Sequence, residues 1–387
     1  MGVRTGAVEG VEMSPVAPFQ GVYKGSRVFV TGHTGFKGAW LAIWLRMLGT
    51  EVYGYALEPP TEPSLFELAG VEDLINAHKI ADVVDAGTLS SAMRDAEAEF
   101  VFHLAAQPLV RASYDDPRGT YETNVMGTVN VLEAVRATPS VRAVVVVTSD
   151  KCYENHEWEY AYRENDAMGG HDPYSSSKGC SELVCSAYRQ SFLSHSGAPG
   201  LASARAGNVI GGGDWAVDRI VPDCVRALSQ GESIEVRNPG AVRPWQHVLE
   251  SLSGYLWLAS RLAEDPQRFA GAWNFGPAVD EDWPVGCLVE RFVHEWGGGS
   301  WHGPEQQEPQ PHEATYLRLD SSKAASRLGW HSSWDTEKAV SATARWYRGH
   351  YDDPAAVLEH THDDIDAYTE AAKARCTPWA RDTEDRT

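Results

Sequence analysis

The chain has 387 residues, of which 33 are basic and 54 are acidic, and its formal net charge is −21 at pH 7. This acidic balance argues against nonspecific binding to nucleic acid or to anionic membranes, although a local basic pocket could still bind a phosphate. The six cysteines form no Cys-x-x-Cys pair, which favours reduced thiols and a cytoplasmic location over a disulfide scaffold. Because no apolar run reaches the length of a membrane span, we expect a soluble protein.

The first predicted strand leads into a glycine-rich turn. Residues 1–24 lack the basic start and apolar centre of a signal peptide, and we expect a flexible extension there. The strand Arg27–Thr31 runs into Gly-x-x-Gly-x-x-Gly, followed by an apolar helical pattern. This context allows a pyrophosphate to approach the amino end of the helix. We therefore predict dinucleotide contacts at Gly32, Gly35, Phe36, Lys37 and Gly38. The alternative is a tight turn without a ligand.

The next three predicted strands carry further candidate cofactor contacts at their carboxyl ends. The second strand, 51–57, ends at Glu58, whose carboxylate could accept hydrogen bonds from an adenosine ribose, which favours NAD over NADP. Glu58 could instead be a solvated loop carboxylate. A third strand is predicted over 80–85, where Asp82 could reach the adenine amino group. The fourth strand leads into backbone that can lie against a cofactor, at Leu104, Ala105 and Ala106.

A fifth predicted strand precedes the first candidate catalytic residues. Four consecutive valines, 144–147, predict a strand that is buried on both faces of a parallel sheet. Ser149, Asp150 and Lys151 follow it directly. Ligands of open α/β sheets bind at the carboxyl edge, so these three side chains are predicted to lie at a ligand site.

The next predicted helix carries a tyrosine and a lysine on one face. Asp172 can cap this helix and Pro173 can occupy its first position, which places Tyr174 and Lys178 one turn apart. A cation beside a tyrosine favours the phenolate, so Tyr174 could take a proton from a sugar hydroxyl while a hydride leaves the same carbon. An isolated Tyr-x-x-x-Lys pair is more often part of a surface helix, so the hypothesis depends on its context.

Strands alternate with helices from Arg27 to about Arg205, and one amphipathic helix opens near Thr123. This alternation predicts an α/β fold with a Rossmann-type doubly wound parallel sheet and a smaller mixed α/β substrate-binding lobe. We divide the chain into four parts: the extension 1–24, an NAD-binding domain 25–205 with a returning helix near 245–265, a nucleotide-sugar-binding lobe 206–350, and a polar acidic tail 351–387.

Polar residues of the second lobe are candidate substrate ligands. Arg243 and Arg219 could bind a pyrophosphate because guanidinium matches phosphate oxygens, although each could be a surface arginine. Asn208 is predicted at a strand end. No second histidine at ligand spacing accompanies His312, so no metal site is predicted. The histidines and aspartates of 360–366 favour a solvated helix or a disordered tail over a metal site.

By these motifs the chain resembles the extended short-chain dehydrogenase/reductase family of nucleotide-sugar enzymes. The glycine turn, the Ser149 position and Tyr174-x-x-x-Lys178 match the family pattern. Longer blocks resemble the CDP-glucose 4,6-dehydratases within this family, and the resemblance covers roughly Gly25 to Tyr351. The matching blocks are 31–38, 148–155, 168–174, 205–215 and 237–248.

The resemblance implies an internal redox reaction on a CDP-hexose, with tightly bound NAD. NAD would take a hydride from C4 of the glucose, water would be lost across C5 and C6, and the hydride would return to C6, giving CDP-4-keto-6-deoxyglucose for deoxysugar biosynthesis. Tyr174 would be the base at O4, Lys178 would lower its pKa and hold the nicotinamide ribose, and Ser149 would hydrogen-bond the C4 oxygen. Asp150 would be the acid for the C6 hydroxyl and Lys151 the base for the C5 proton. The alternative for the last two is an ordinary loop ion pair.

The other assignments concern the substrate, the partner and rival functions. The substrate contacts are assigned to Gln107, Asn124, Asn208, Arg219, Arg243 and His312. The family resemblance implies a homodimer formed by paired helices that begin near Asn124 and Tyr174. A nucleotide-sugar 4-epimerase would use Tyr174 and NAD but would not need Asp150 and Lys151. Other rivals are a dehydratase of another nucleotide hexose and a non-catalytic binding protein.

Overall fold

The computed structural model of the chain describes residues 18–278, 281, 283–304 and 316–381. Its main sheet is parallel throughout and has seven strands, in the order β11-β6-β5-β4-β1-β2-β3 once the strands are numbered along the chain. The strands of the described residues are β1 (Arg27–Thr31), β2 (Glu51–Ala56), β3 (Ala77–Ile80), β4 (Phe100–His103), β5 (Ala143–Val147), β6 (Gly200–Ala206), β7 (Val209–Ile210), β8 (Ile234–Glu235), β9 (Val242–Arg243), β10 (Gln246–His247), β11 (Gly271–Phe275), β12 (Trp283–Pro284) and β13 (Trp301–His302).

The helices lie on both faces of this sheet and in the second lobe. Short 3₁₀ turns occur at Pro18–Gly21, Asp150–Cys152 and Pro354–Ala356, and Glu122–Met126 forms a π turn. The α-helices are α1 (Phe36–Met47), α2 (Leu65–Leu68), α3 (Val71–Leu74), α4 (Ala86–Asp95), α5 (Val110–Asp115), α6 (Pro117–Tyr121), α7 (Gly127–Arg136), α8 (Pro173–Ser191), α9 (Ile220–Ser229), α10 (Val248–Glu264), α11 (Pro266–Phe269), α12 (Val285–Trp296), α13 (Ser322–Leu328), α14 (Thr336–Asp352) and α15 (Val357–Ala374).

The centre of the main sheet is apolar and covered on both sides. Strands β4, β5 and β6 are buried along their whole length, because α10 packs on one face while α7 and α8 pack on the other. The strand order reverses between β1 and β4, and a crevice opens at the carboxyl ends of such neighbouring strands. The prediction of a doubly wound parallel sheet is confirmed.

The third strand lies earlier in the chain than predicted. It spans Ala77–Ile80 instead of 80–85, and it pairs with the second strand. Asp82 accepts a hydrogen bond from the Val84 amide at 3.0 Å, and Asp85 caps α4. These side chains compete with the strand for the backbone, which turns the chain away from the sheet after Ile80.

One predicted helix begins earlier than expected. Instead of opening near Thr123, it starts at Pro117, where the carboxylate of Asp116 accepts from the Gly119 amide at 2.9 Å. Helix α6, the π turn and α7 then follow without interruption. The π turn places Asn124 in the interior, where it is 2% exposed.

The sheet also recruits elements from beyond 206. Helix α10 packs against β5 and β6, within the predicted region of the returning helix. Strand β11 pairs with β6 at the edge of the main sheet, because its residues Trp273 and Phe275 bury their rings in the main core. The small two-stranded sheets β10-β7, β12-β9 and β13-β8 lie outside the main sheet.

The two ends of the described chain pack against each other. Phe19 is fully buried, stacks on Trp379 at 4.8 Å between ring centroids, and donates its amide hydrogen to the Trp379 carbonyl at 2.6 Å. Helix α15 buries Ile365 and Tyr368 in the same core. For residues 18–24 and 351–381 the structure therefore differs from the expected flexible extension and solvated tail, because aromatic residues too widely spaced to form a pattern pack together.

Trp379→Ala is expected to lower the free energy of unfolding by about 3–5 kcal/mol, as measured by denaturant titration. The indole is fully buried between Phe19 and Tyr368, so its removal leaves a cavity. Tyr160→Ala is the control, since that side chain is 73% exposed. Equal losses in the two variants would show that the contact between the chain ends contributes nothing to stability.

Candidate active site

The glycine turn after β1 tolerates no side chain at two positions. Gly32 has a φ of +78°, and a Cβ atom there would lie 2.7 Å from the Ala105 amide nitrogen. A Cβ atom at Gly38 would lie 2.0 Å from the Gly32 carbonyl oxygen. The turn thus packs against the end of β4 and leaves bare backbone at the amino end of α1. This geometry fits a bound pyrophosphate.

The other candidate cofactor residues follow neighbouring strands at the same edge of the sheet. Glu58 is exposed just after β2, and Asp82 follows β3, where its carbonyl accepts from the Tyr55 hydroxyl at 2.9 Å. The half-buried residues Leu104, Ala105 and Ala106 follow β4 beside the glycine turn. The parallel strands thus bring the glycine turn and the candidate cofactor residues up to Ala106 to the same edge of the sheet.

The catalytic candidates after β5 form a compact turn. Ser149 caps the 3₁₀ turn by accepting from the Lys151 amide at 3.2 Å, and its hydroxyl donates to Asp150 Oδ1 at 3.0 Å. Ser149 and Asp150 are buried, while Lys151 is half-buried. The end of a fully buried strand thus presents three functional groups on consecutive residues.

The Asp150 carboxyl group has an unusual environment. Among the residues that the structure describes, nothing hydrogen-bonds to its Oδ2 atom, although the residue is only 3% exposed. Burial raises the pKa of Asp150 above its ordinary value, and the positive charges of Lys151 and Arg243 only partly oppose this effect. A carboxyl group in these surroundings favours its protonated, proton-donating form.

Tyr174 and Lys178 lie on the inner face of α8, which Asp172 caps by accepting from the Ser175 amide at 2.9 Å. The Lys178 ammonium donates to the Val147 carbonyl at 3.3 Å, so it contacts the end of β5. Burial raises the pKa of Tyr174 to about 12, while a hydrogen bond with Ser149 lowers it. The positive charge of Arg219 also lowers this pKa, and the effect of Lys178 on Tyr174 stays a prediction.

Three further cations surround this centre. Arg219 pairs with Asp214 at 2.7 Å, and Arg243 is buried with a hydrogen bond to the Val242 carbonyl at 3.0 Å. Burial lowers the pKa of Lys37 to about 7, and the nearby charges of Arg219 and Lys178 contribute. Lys37 and Arg219 thus lie close enough to act on each other, and Arg243 lies close enough to act on Asp150, so the centre holds several cations that could bind a polyanion.

Two of the predicted substrate contacts are engaged inside the protein. The Asn124 amide group donates to the Gln107 carbonyl at 3.1 Å and to Ser177 Oγ at 2.8 Å, and it accepts from the Gln107 amide at 2.9 Å. The Gln107 side chain bonds to Leu109 and Thr120. A substrate that binds to Asn124 or Gln107 would therefore have to compete with these internal hydrogen bonds. Asn208 is half-buried between β6 and β7, and His312 lies outside the described residues.

Sequence reasoning missed two residues of this centre. Tyr255 of α10 is fully buried, its hydroxyl lies 3.5 Å from Lys37 Nζ, and the charges of Tyr174 and Asp150 act on its pKa. Its position within an apolar helix gave no signal. Glu182 lies one helical turn beyond Lys178 and is also buried. Its spacing from Lys178 could have been noticed, since residues four apart share a helix face.

The chain is similar to known nucleotide-sugar enzymes. The model of the GDP-mannose 4,6 dehydratase family matches residues 29–281. A CDP-glucose 4,6-dehydratase from Salmonella typhimurium is 51% identical over 331 residues, which cover 84% of this chain and 91% of the relative. A UDP-glucose 4-epimerase from Mycolicibacterium smegmatis is 28% identical, covering 83% of this chain and 98% of that protein.

Solved structures share the fold. A dTDP-glucose 4,6-dehydratase from Streptomyces venezuelae with NAD and TYD bound has a TM-score of 0.71 at 22% identity, covering 85% of this chain and 99% of that chain. A dTDP-glucose 4,6-dehydratase from Bacillus anthracis in complex with NAD has a TM-score of 0.70 at 18% identity, covering 85% and 98%.

The described residues contain neither a membrane-spanning helix nor a candidate metal site. Within the described ranges, no helix has the length and apolarity to cross a bilayer. In the same part of the chain, no group of histidine, cysteine, aspartate and glutamate side chains could hold a metal ion.

Proposed function

Because the chain belongs to the GDP-mannose 4,6 dehydratase family of nucleotide-sugar enzymes, we propose that it converts CDP-D-glucose to CDP-4-keto-6-deoxy-D-glucose. The reaction combines oxidation at C4, loss of water across C5 and C6, and reduction at C6, and the enzyme is a hydro-lyase. The observation that carries the proposal is Asp150, a buried acid with an unpartnered oxygen beside Ser149. The choice of cytidine follows the 51% identical relative.

The crevice at the glycine turn fits NAD. A Cβ atom at Gly32 would collide with the Ala105 backbone and one at Gly38 with the Gly32 carbonyl oxygen, so only glycine permits this close turn, and α1 points its free amide groups toward it. The residues that would hold the cofactor are Gly32, Gly35, Phe36, Lys37, Gly38, Glu58, Asp82, Leu104, Ala105 and Ala106, together with Tyr174 and Lys178. When bound, NAD supplies a hydride acceptor for C4 and a hydride donor for C6.

Gly38→Ala is expected to weaken NAD binding by at least about tenfold, which corresponds to 1.4 kcal/mol. The added methyl group would meet the Gly32 carbonyl oxygen at 2.0 Å and must displace the turn. Gly87→Ala is the matched control, because that glycine lies in the first turn of α4 and its Cβ atom would meet Asp85 at an ordinary 3.6 Å. Nucleotide released from the purified proteins and quantified by chromatography gives the result. Equal retention in both variants would contradict the assignment.

Tyr174 and Ser149 serve the oxidation half of the reaction. The Tyr174 oxygen takes the proton of the C4 hydroxyl. The Ser149 hydroxyl, which is hydrogen-bonded to Tyr174, orients the same sugar oxygen. Lys178, anchored on the Val147 carbonyl, holds its ammonium behind the tyrosine and toward a ribose. These roles require the buried contact between α8 and the end of β5.

Asp150 and Lys151 serve the elimination half. Asp150 donates a proton to the leaving C6 hydroxyl, which its raised pKa favours, and Lys151 removes the C5 proton. Both groups follow Ser149 without a gap, so a sugar whose O4 contacts Ser149 has its C5 and C6 nearby. An epimerase has no use for this acid.

Arg219 and Arg243 are proposed to bind the substrate pyrophosphate, with Asn208 beside them. Arg219 acts electrostatically on Tyr174 and Arg243 on Asp150, so each arginine lies close to a catalytic group. An anion held by both would fix the hexose over Ser149 and Asp150. The Arg219–Asp214 ion pair keeps one of these cations oriented before substrate binds.

Incubation with CDP-, UDP-, dTDP- and GDP-glucose in parallel, followed by mass spectrometry, tests the proposal. We expect loss of one water from CDP-glucose at the highest rate and no net consumption of added NAD. Unchanged mass with inverted C4 stereochemistry would identify an epimerase. Failure of all four substrates would contradict the proposed function.

We also propose a homodimer formed by the helices that follow Pro117 and Pro173. Their outer faces carry exposed apolar side chains, which a partner helix pair would cover. These side chains are Tyr121, Met126, Leu183 and Phe192. Light scattering at micromolar concentration is expected to give twice the mass of 42.4 kDa. Leu183→Glu should shift the equilibrium to monomer, and Val217→Glu, exposed to the same 60% but on the second lobe, should not. A monomeric wild type would contradict the proposal.

A cytoplasmic location is proposed from the thiols. All six cysteines are free, and Cys152, Cys185 and Cys224 are buried in apolar surroundings. A reducing compartment keeps such thiols intact. Fractionation of the producing cell would place the protein, and a periplasmic or secreted product would contradict the proposal.

A further inference from the structure

Glu182 is a buried carboxylate for which the proposed steps have no use. It lies on α8 and is 5% exposed. Its Oε1 atom accepts from Thr148 Oγ1 at 2.5 Å, and its Oε2 atom accepts from Ser203 Oγ at 2.6 Å and from Arg205 Nη2 at 2.8 Å. Burial opposes ionisation, but the Arg205 contact keeps the pKa of Glu182 below its ordinary value. The group is therefore an ionised carboxylate with three donors.

These bonds reach both ends of the segment that carries the elimination residues. Thr148 is the residue before Ser149 and donates directly to Glu182. At the other end, the Tyr153 hydroxyl accepts from Arg205 Nη1 at 2.7 Å and donates to Asn274 Oδ1 at 2.7 Å. Residues 149–152 thus lie between two anchors, and both anchors lead to the same carboxylate.

We propose that Glu182 is a positioning residue that holds the segment carrying Ser149, Asp150 and Lys151 in register with the helix carrying Tyr174 and Lys178. The oxidation and elimination groups lie on different elements, α8 and the turn after β5, and must meet on adjacent carbons of one sugar. Errors of about 1 Å in such an arrangement cost about 10²-fold in rate. The inference rests on the proposed function, and it adds a residue that contacts neither sugar nor cofactor.

The same carboxylate supports the charge of Lys178. Burial lowers the pKa of Lys178 to about 8, while Glu182 opposes this effect most strongly. Cys185 and Cys152 also act on the pKa of Lys178, and the Lys178 charge lowers the pKa values of Lys37 and His103. Without the carboxylate, Lys178 should lose its proton at lower pH, and the alkaline limb of the activity profile should move with it.

Glu182→Gln removes the charge and keeps the shape. Competitive labelling of Lys178 with acetic anhydride across pH, read by mass spectrometry, is expected to show its titration midpoint lowered by about one unit. The alkaline limb of kcat for CDP-glucose should shift equally, with KM little changed. Ser203→Ala is the matched control, since it removes one donor but leaves the carboxylate and both anchors. An unchanged midpoint together with an unchanged kcat in Glu182→Gln would overturn the proposal.

Tyr153→Phe removes the anchor at Tyr153 and leaves the charge of Glu182 in place. It removes the bonds to Arg205 and Asn274 while Glu182 and Thr148 stay paired. We expect kcat to fall by about tenfold or more with an unchanged Lys178 midpoint, consistent with a misplaced catalytic group. An unchanged kcat in Tyr153→Phe would overturn the proposal. This result does not depend on whether Glu182→Gln folds. The labelling experiment needs no substrate, so it gives its result even if CDP-glucose proves to be the wrong sugar nucleotide.

Discussion

Tyr174→Phe is expected to lower kcat for CDP-glucose by about 10²–10⁴-fold, the usual contribution of a positioned acid–base group. The phenol oxygen is the only atom removed, and the ring remains packed on α8. The loss follows because the phenylalanine ring has no atom that can accept the proton of the C4 hydroxyl. Initial rates at saturating substrate give the result, and KM should change little.

Tyr188→Phe is the matched control for this experiment. Tyr188 lies on the same helix, but its hydroxyl bonds to Glu133 at 2.8 Å, outside the crevice. We expect its kcat to stay within about twofold of wild type, as for surface substitutions away from a site. Equal activity of Tyr174→Phe and Tyr188→Phe would show that Tyr174 is not the base. That result would be expected if the protein only binds its ligand or catalyses a different reaction.

Asp150→Asn is expected to slow water loss strongly while making the fold more stable at neutral pH. The variant lacks the acid for the C6 hydroxyl, so product formation should fall by about 10²–10⁴-fold. Because folding raises the pKa of Asp150, the ionised carboxylate costs stability at any pH above its unfolded value, and the amide removes that cost. The gain in melting temperature should therefore be present at pH 7 and shrink as the pH falls to 4.

Asp364→Asn is the control for the loss of activity. Asp364 is also a buried carboxyl group with an unpartnered Oδ2 atom among the described residues, and burial raises its pKa to about 6. It lies on α15, where it pairs with Arg345. Its variant should keep full turnover. Full turnover in Asp150→Asn as well would contradict the role of Asp150 as the acid.

The parts of the fold that the sequence predicted are those with short-range signals. Consecutive valines identify the strand β5. The neighbouring residues Asp172 and Pro173 identify the start of helix α8. The glycine turn was recognisable because Gly32 and Gly38 each have a steric reason, against the end of β4 and within the turn itself. Tyr174 and Ser149 were therefore placed in one site before any contact between them was known.

The parts that the sequence did not predict depend on distant partners. Phe19 and Trp379 stack on each other although they lie near opposite ends of the sequence. Because each residue finds its partner so far away in the sequence, neither end showed a local pattern that would indicate packing. Asn124 meets Gln107 and Ser177 only because a π turn directs it inward. Arg219, which comes from the second lobe, also acts on the pKa of Tyr174, and no local sequence pattern linked these two residues.

The most direct test of the proposed reaction uses CDP-glucose that carries deuterium at C4. Internal hydride transfer predicts a product that has lost one water and carries the deuterium in the new methyl group at C6, with a 4-keto carbon, as read by NMR. Deuterium retained at C4 in a product of unchanged mass, or a 4-keto product whose methyl group holds no deuterium, would contradict the internal transfer that defines a 4,6-dehydratase.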